Sequence, residues 1–184
     1  MLTLITGGAR SGKSRHALEL AQPFSERAFI ATAQAFDNEM GRRIEAHQQE
    51  RADTFITVEE PLEPASALDS FALTTEVVVL DCLTLWLGNL VYRAEQEGRA
   101  WPSRPDDEGS ISRFLRRLDG DLPFHLIVVS NELGMGLVPP EPMGRAFRDL
   151  AGWVNQEVAR RADRVLLMVS GLPLEIPVSG SSRL

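Results

Sequence analysis

The octapeptide Gly7-Gly8-Ala9-Arg10-Ser11-Gly12-Lys13-Ser14 constrains this chain more than any other feature. It fits G-x-x-x-x-G-K-[ST] at every fixed position. It follows a short apolar, β-prone run (residues 2–6) and precedes an Ala/Leu-rich helical pattern (14–22) that ends before Pro23. A chain that begins this way must place a strand, a phosphate-binding loop and a helix N-terminus in succession. The glycines let the backbone bend so that consecutive amides face phosphate oxygens. The helix contributes further free N–H groups and a partial positive charge. Lys13 sets a mobile charge on the β/γ-phosphates, and Ser14 offers a hydroxyl to Mg2+. From ordinary residue frequencies, a chance match in a chain this long arises in about one case in a hundred or fewer. A glycine-rich turn that binds nothing is the weaker reading in this strand–loop–helix context.

Composition sharpens the role of Lys13. Of 19 basic residues, 18 are Arg and the remaining one is Lys13. The lone lysine therefore stands where a planar guanidinium substitutes poorly for a compact ammonium. Any mechanism that needs two lysines is excluded. So is the Asn-Lys-x-Asp stretch by which switch GTPases read guanine, and no Asp-x-x-Gly follows an apolar strand. With 26 acidic residues the net charge is −7, which argues against a nucleic-acid partner. A single cysteine, Cys82, excludes an intramolecular disulfide and any multi-cysteine metal site, and a reducing cytoplasm fits. The N-terminus lacks the basic region of a signal peptide. The longest apolar stretch, residues 77–91, is interrupted by Asp81 and Asn89 and is too short to span a membrane.

Further apolar runs at 29–32, 77–80, 126–129 and 165–169 are continuous rather than alternating, as strands buried on both faces require. Helical patterns lie between them. One is 37–51, with Met40, Ile44 and His47 on one face; another is 143–162, with a stripe from Met143 to Val158. Strands alternating with helices predict an α/β fold with a mostly parallel sheet covered on both faces. Residues 98–109 are polar and read as a surface loop. With no repeat or dividing linker, residues 1–172 read as one catalytic domain and 173–184 as a mobile C-terminal tail.

The run Val77-Val78-Val79-Leu80-Asp81 has the form of a Walker B strand, whose carboxylate orients Mg2+ or its bound water. Ser130-Asn131-Glu132 follows another apolar run, at the strand end where α/β sheets place ligands. Glu132 is read equally as a metal or proton acceptor and as an ordinary loop carboxylate. Of the three histidines, His16 lies early in the helix after the phosphate loop, and His125, just before an apolar strand, reads as structural. Arg43, His47 and Arg51 are spaced four apart and share a helix face. Two flanking arginines favour the neutral, nucleophilic imidazole, and they can hold an anion beside it. From the residues alone, a solvated helix face remains the commoner meaning of such a pattern.

Several stretches together resemble the bifunctional adenosylcobinamide kinase/adenosylcobinamide-phosphate guanylyltransferase family of cobalamin biosynthesis, over almost the whole chain. They are Thr6-Gly-Gly-Ala-Arg-Ser-Gly-Lys-Ser-Arg-His16, Ile30-Ala-Thr32, Glu39-Met40 and Arg43-Ile44-x-x-His47. Further on come Asn131-Glu-Leu-Gly-Met-Gly-Leu-Val-Pro139, Phe147-Arg-Asp-Leu-Ala-Gly-x-Val-Asn-Gln156 and Val169-Ser-Gly171. The resemblance implies a RecA-like P-loop fold and a homo-oligomer, a trimer in that family. It implies phosphorylation of adenosylcobinamide by ATP or GTP, then transfer of GMP from GTP through a guanylyl-histidine, which maps to His47. Implied nucleotide contacts fall on Gly7, Gly8, Ala9, Arg10, Ser11, Gly12, Lys13 and Ser14, on Ile30, Ala31 and Thr32, on Gln48, Gln49, Glu50 and Arg51, and on Glu59 and Asp81. Ser14 and Asp81 are the implied Mg2+ groups, and His47 and Lys13 the catalytic ones. The competing readings are a P-loop small-molecule kinase without guanylyltransferase activity and a nucleotide-sensing module.

Overall fold

Strands made of unbroken Val, Leu and Ile runs have no polar face to show to water, so they must lie inside a sheet covered on both sides. The computed structural model, which describes residues 1–35, 41–42, 54–101 and 109–178, has that arrangement. Its strands are β1 (Leu2–Gly7), β2 (Arg27–Ala31), β3 (Ile56–Glu59), β4 (Val77–Asp81), β5 (His125–Val129), β6 (Arg164–Val169) and β7 (Leu172–Ile176). Its helices, among the described residues, are α1 (Lys13–Ala21), α2 (Pro64–Asp69), α3 (Leu83–Gln96), α4 (Ser110–Asp119) and α5 (Pro142–Arg161). The sheet order is β3-β2-β4-β5-β1-β6-β7. Every pairing is parallel except β6 with β7.

Strand residues alternate between two cores, as the two-residue period of a strand dictates. Leu2, Leu4, Val78, Leu80, Leu126 and Val128 share one core with Trp86 and Leu87 of α3, Phe114 of α4 and Val154 and Val158 of α5. Ile5, Val77, Val79, Ile127 and Val129 share the other with Ala17 and Ala21 of α1. Leu83 and Leu87, whose orientation the sequence leaves open, are fully buried in the first core.

The five apolar runs become β1, β2, β4, β5 and β6 with ends shifted by one or two residues, and the patterns at 14–22 and 143–162 become α1 and α5. Of the helix expected at 37–51, only Gly41 and Arg42 are described, and both are helical. Residues 102–108 of the expected loop at 98–109 lie outside the described residues, as do 179–184.

The tail expected from Pro173 needs correction, because residues 173–176 form most of the edge strand β7, antiparallel to β6. Pro173 is tolerated there because an edge strand leaves one row of N–H positions without a ladder partner. Ser170 (φ 52) and Gly171 (φ 82) make the two-residue connection. Positive φ at both positions matches the twist that tight hairpins need. β3, α2, α3 and α4 have no counterpart in the sequence reading. The apolar stretch 77–91 divides at Cys82 into β4 and α3. In α4, Ile111, Phe114, Leu115 and Leu118 form a buried stripe at helical spacing.

Phe114 is fully buried, with its ring centroid 5.1 Å from that of Trp86. Phe114→Ala leaves a void across the α3–α4 contact and should lower unfolding free energy by about 3–5 kcal/mol. Urea titration followed by circular dichroism checks this.

Candidate active site

The strand registers bring the chemistry-bearing residues to one edge. Ile5 and Asp81 are both level with Val129, and Asp81 and Glu59 are both level with Ala31. The C-terminal ends of β1, β5, β4, β2 and β3 therefore line up. The phosphate loop leaves β1, Asp81 ends β4, Ile30 and Ala31 end β2, and Glu59 ends β3. β5 lies between β1 and β4, so Ser130-Asn131-Glu132 sits between the phosphate loop and Asp81.

The phosphate loop is short because its two framing glycines permit close approach. Gly7 (φ 149) has no room for a side chain, since a Cβ there would lie 2.6 Å from the Met168 carbonyl oxygen. Gly12 (φ 94) caps α1 in the left-handed region, and a Cβ on it would meet Gly171 Cα at 3.3 Å. Lys13 opens α1 and is 7% exposed. Its ammonium donates to the Gly8 carbonyl at 2.6 Å, folding the side chain back along the loop.

Burial pulls the Lys13 pKa below the usual lysine value, and negative charge at Cys82 and Asp81 opposes that fall. Burial first, and then Asp81, pushes the Cys82 thiol up to about 12. Cys82 is therefore neutral near neutral pH, and Asp81 is the carboxylate whose charge Lys13 feels. The same protonation removes Cys82 as a nucleophile.

Thr32 fixes the peptide after Asp81. Its hydroxyl accepts from Cys82 N–H at 2.8 Å and donates to the Cys82 carbonyl at 2.8 Å, and its own N–H donates to the Asp81 carbonyl at 3.2 Å. Asn89 of α3 donates to the Thr32 carbonyl at 2.7 Å and to the Pro61 carbonyl at 3.0 Å. The Ile30 and Thr32 side chains are fully buried, so this segment exposes only backbone at the sheet edge, and the Thr32 side chain holds the backbone beside Asp81. Glu59 is exposed at its strand end.

Three further groups hold the loop after β5. Glu132 N–H donates to the Gly7 carbonyl at 3.0 Å, and its carboxylate accepts from Gly134 N–H at 2.7 Å. Asn155 of α5 accepts from the Ser130 hydroxyl at 2.6 Å and donates to the Asn131 carbonyl at 3.0 Å. Asn131 N–H donates to the Thr84 hydroxyl at 3.0 Å. Sequence reasoning missed Asn89 and Asn155. The available signal was a lone amide within each otherwise apolar helical stripe, since a buried amide must be hydrogen-bonded.

His125 accepts or donates at Thr3 Oγ1 over 2.9 Å and meets Phe24 edge-on, with centroids 5.9 Å apart. Burial lowers its pKa, as befits a structural histidine. His16 sits on α1 within 3.4 Å of Glu19. His47, its flanking Arg43 and Arg51, and Gln48, Gln49 and Glu50 lie outside the described residues. No group of three or more His, Cys, Asp and Glu side chains able to hold a metal occurs among the described residues. Ser14 and Asp81 instead suit a cation that keeps several waters and takes its other ligands from nucleotide phosphate, as Mg2+ does.

Comparison with known proteins places this arrangement among relatives. Residues 3–176 match the family described as cobinamide kinase / cobinamide phosphate guanyltransferase. The bifunctional adenosylcobalamin biosynthesis protein CobP of Pseudomonas aeruginosa is 45% identical over 96% of this chain and 97% of its own length. The bifunctional adenosylcobalamin biosynthesis protein CobU of Escherichia coli K12 is 39% identical over 96% of this chain and 99% of its own. Its counterpart in Salmonella typhimurium is 37% identical over the same shares. Among solved structures, the assembled type III secretion ATPase EscN of enteropathogenic E. coli superposes with TM-score 0.58 at 12% identity, over 92% of this chain and 43% of that one. A prototypical type III secretion ATPase from pathogenic bacteria gives 0.53 at 13%, over 90% and 50%. This chain thus spans half or less of those ATPase chains, and the likeness shows a shared P-loop ATPase fold. No helix among the described residues is long and apolar enough to cross a membrane.

Thr32→Val keeps shape while removing the hydroxyl that serves both backbone polar groups of Cys82. The expected loss is about 1–3 kcal/mol of stability, together with weaker binding of Mg2+-nucleotide as Asp81 loses its anchor. Denaturant midpoints and calorimetric nucleotide titration read the two effects.

Proposed function

The chain belongs to the cobinamide kinase / cobinamide phosphate guanyltransferase family, and from that premise we infer that it carries both activities itself. It phosphorylates the aminopropanol hydroxyl of adenosylcobinamide with a nucleoside triphosphate. It then transfers GMP from GTP to that phosphate, releasing pyrophosphate and giving adenosylcobinamide-GDP. The observation that carries this reading is a complete phosphate loop at the C-terminal edge of β1, in a chain that matches the family from residue 3 to residue 176. A kinase without the second activity is not favoured, because the relatives matched over nearly their whole length are named bifunctional.

In this reading, the amides of the phosphate loop and of the first turn of α1 bind the triphosphate, and Lys13 reaches from the Gly8 carbonyl to the β/γ-phosphates. Ser14 and Asp81 would hold Mg2+, which neutralises phosphate charge when bound. In the first transfer, the substrate hydroxyl attacks the γ-phosphorus in line, and positioning with charge stabilisation supplies most of the catalysis.

The second transfer divides into two displacements. The His47 imidazole attacks the α-phosphorus of GTP and pyrophosphate leaves. The phosphate of the corrinoid then attacks the guanylyl group and frees His47. Support for His47 comes from its place in Arg43-Ile44-x-x-His47 and from the two arginines four residues either side. If the four-residue spacing is read as helical, it would set positive charge beside a neutral imidazole for the transferring phosphate. Guanine recognition falls to residues other than lysine, because the only lysine is committed to phosphate. The assembly is proposed as a homo-oligomer, a trimer as in the family, working in the cytoplasm.

The two steps separate by substitution. His47→Asn should still convert adenosylcobinamide to its phosphate, with γ-labelled nucleotide as donor, and should yield no adenosylcobinamide-GDP. Lys13→Ala should reduce both steps by roughly a hundredfold or more, the scale on which losing one preorganised charge on a transferring group is felt. Production of adenosylcobinamide-GDP by His47→Asn would overturn the histidine assignment, and a Lys13→Ala enzyme active in the second step would overturn the shared phosphate site.

A further inference from the structure

Two stretches of the sequence, around Asn131 and Ser170-Gly171, carry no role in the chemistry above, yet both end on the phosphate loop. Glu132 N–H donates to the Gly7 carbonyl at 3.0 Å, and Gly171 N–H donates to the Ser11 carbonyl at 3.0 Å. We propose that the phosphate loop is preset from outside by these two backbone clamps, and that Asn155 and Gly171 are positioning residues for nucleotide phosphate. The proposal rests on nucleotide binding by this loop, as inferred above.

In a planar trans peptide the carbonyl and the following N–H point in opposite directions. Holding the Ser11 carbonyl toward Gly171 therefore turns the Gly12 N–H away from the β6–β7 hairpin. Holding the Gly7 carbonyl toward Glu132 likewise turns the Gly8 N–H away from the β5–α5 loop. The third carbonyl in reach, that of Gly8, is engaged by the Lys13 ammonium at 2.6 Å. A carbonyl swung inward would set its negative end against phosphate. Three carbonyls held by donors leave a cradle that presents N–H groups, and a preset cradle loses less freedom on binding.

Each clamp has its own support. Asn155 is 9% exposed and donates to the Asn131 carbonyl at 3.0 Å. By the same planarity, that contact aims the Glu132 N–H at Gly7. Asn155, the Asn131–Glu132 peptide and the Gly7–Gly8 peptide thus form one chain of aligned dipoles, each polarising the next. On the other side, the hairpin tip reaches the loop because both residues of its turn have positive φ, 52 for Ser170 and 82 for Gly171. Gly171 Cα lies 3.3 Å from the position of a Cβ on Gly12, so the tip and the loop are in direct contact.

Asn155→Asp separates the clamp from packing. The carboxylate still accepts from Ser130, but it has no N–H for the Asn131 carbonyl and repels it. The full-length protein should bind ATP with Mg2+ about 5- to 10-fold more weakly, the fold-change for one lost hydrogen bond. KM for nucleotide should rise by a similar factor with kcat little changed, and the Glu132 amide should lose protection from hydrogen exchange in the nucleotide-free protein. A lower Tm with unchanged ATP affinity and unchanged Glu132 protection would overturn the proposal.

Should Asn155→Asp not fold, Gly171→Ala decides. Nothing lies within 4 Å of the added methyl, so the core is untouched, while φ 82 becomes unfavourable and the tip must shift. Weaker ATP binding with faster exchange at the residue-171 amide supports the clamp, and wild-type ATP affinity refutes it. ATP titration of the unmodified protein tests nucleotide binding separately, whereas amide exchange reads the clamps with no nucleotide present.

Discussion

The Gly8 carbonyl meets the loop's own Lys13 ammonium, and the carbonyls of Gly7 and Ser11 meet donors from distant parts of the chain, the Glu132 and Gly171 amides. A loop of this kind has no side-chain core of its own and keeps its shape through such contacts. The seven-stranded sheet supplies them, since β5 and β6 flank β1 directly and each delivers a connection onto the loop. The two buried cores matter to function because they hold β5, β1 and β6 in register. A slip of one residue would carry Glu132 and Gly171 away from the loop.

A second set of contacts belongs to the other side of β5. Thr32 grips both backbone polar groups of Cys82, and Asn89 in turn holds Thr32. Asp81 is thereby placed at the sheet edge with its charge felt by Lys13, two strands from where that lysine's loop begins. Electrostatics and burial act in opposition at Lys13. Burial favours the neutral amine, and the Asp81 carboxylate favours the ammonium that phosphate requires. Cys82, next to Asp81 in the chain, stays a neutral thiol because it is desolvated. The edge thus carries the Lys13 ammonium and the Asp81 carboxylate, the two charges that the proposed reaction would use on a metal-bound triphosphate.

What could be read from sequence follows from how local each signal is. The phosphate loop and the five apolar strands are legible because motif spacing and strand hydrophobicity are properties of short segments. β3 escaped because it is four residues long and exposed at the sheet edge. β7 escaped because Pro173 and the neighbouring Ser/Gly content look like a chain end, and only its pairing with β6 makes it a strand. α3 was hidden by its apolar junction with β4. The supporting amides Asn89 and Asn155 stood out only as lone amides in apolar stripes, and what they do was hidden for a different reason. Their importance lies in hydrogen bonds to backbone groups 57 and 24 residues away, which no local pattern encodes. The role given to His47 rests on family resemblance, since from its spacing alone a solvated helix face is the commoner reading.

The fold is shared with P-loop ATPases, and the family is described by two activities, a kinase and a guanyltransferase. The central claim is that one chain performs both, with His47 as the group that becomes guanylylated. Mass spectrometry of the protein after incubation with GTP and Mg2+, in the absence of corrinoid, tests it most directly. The account requires a mass increase of one guanylyl group, located by fragmentation to the peptide that carries His47 and discharged on adding adenosylcobinamide phosphate. An unmodified protein, or a guanylyl group on any other residue, would contradict it.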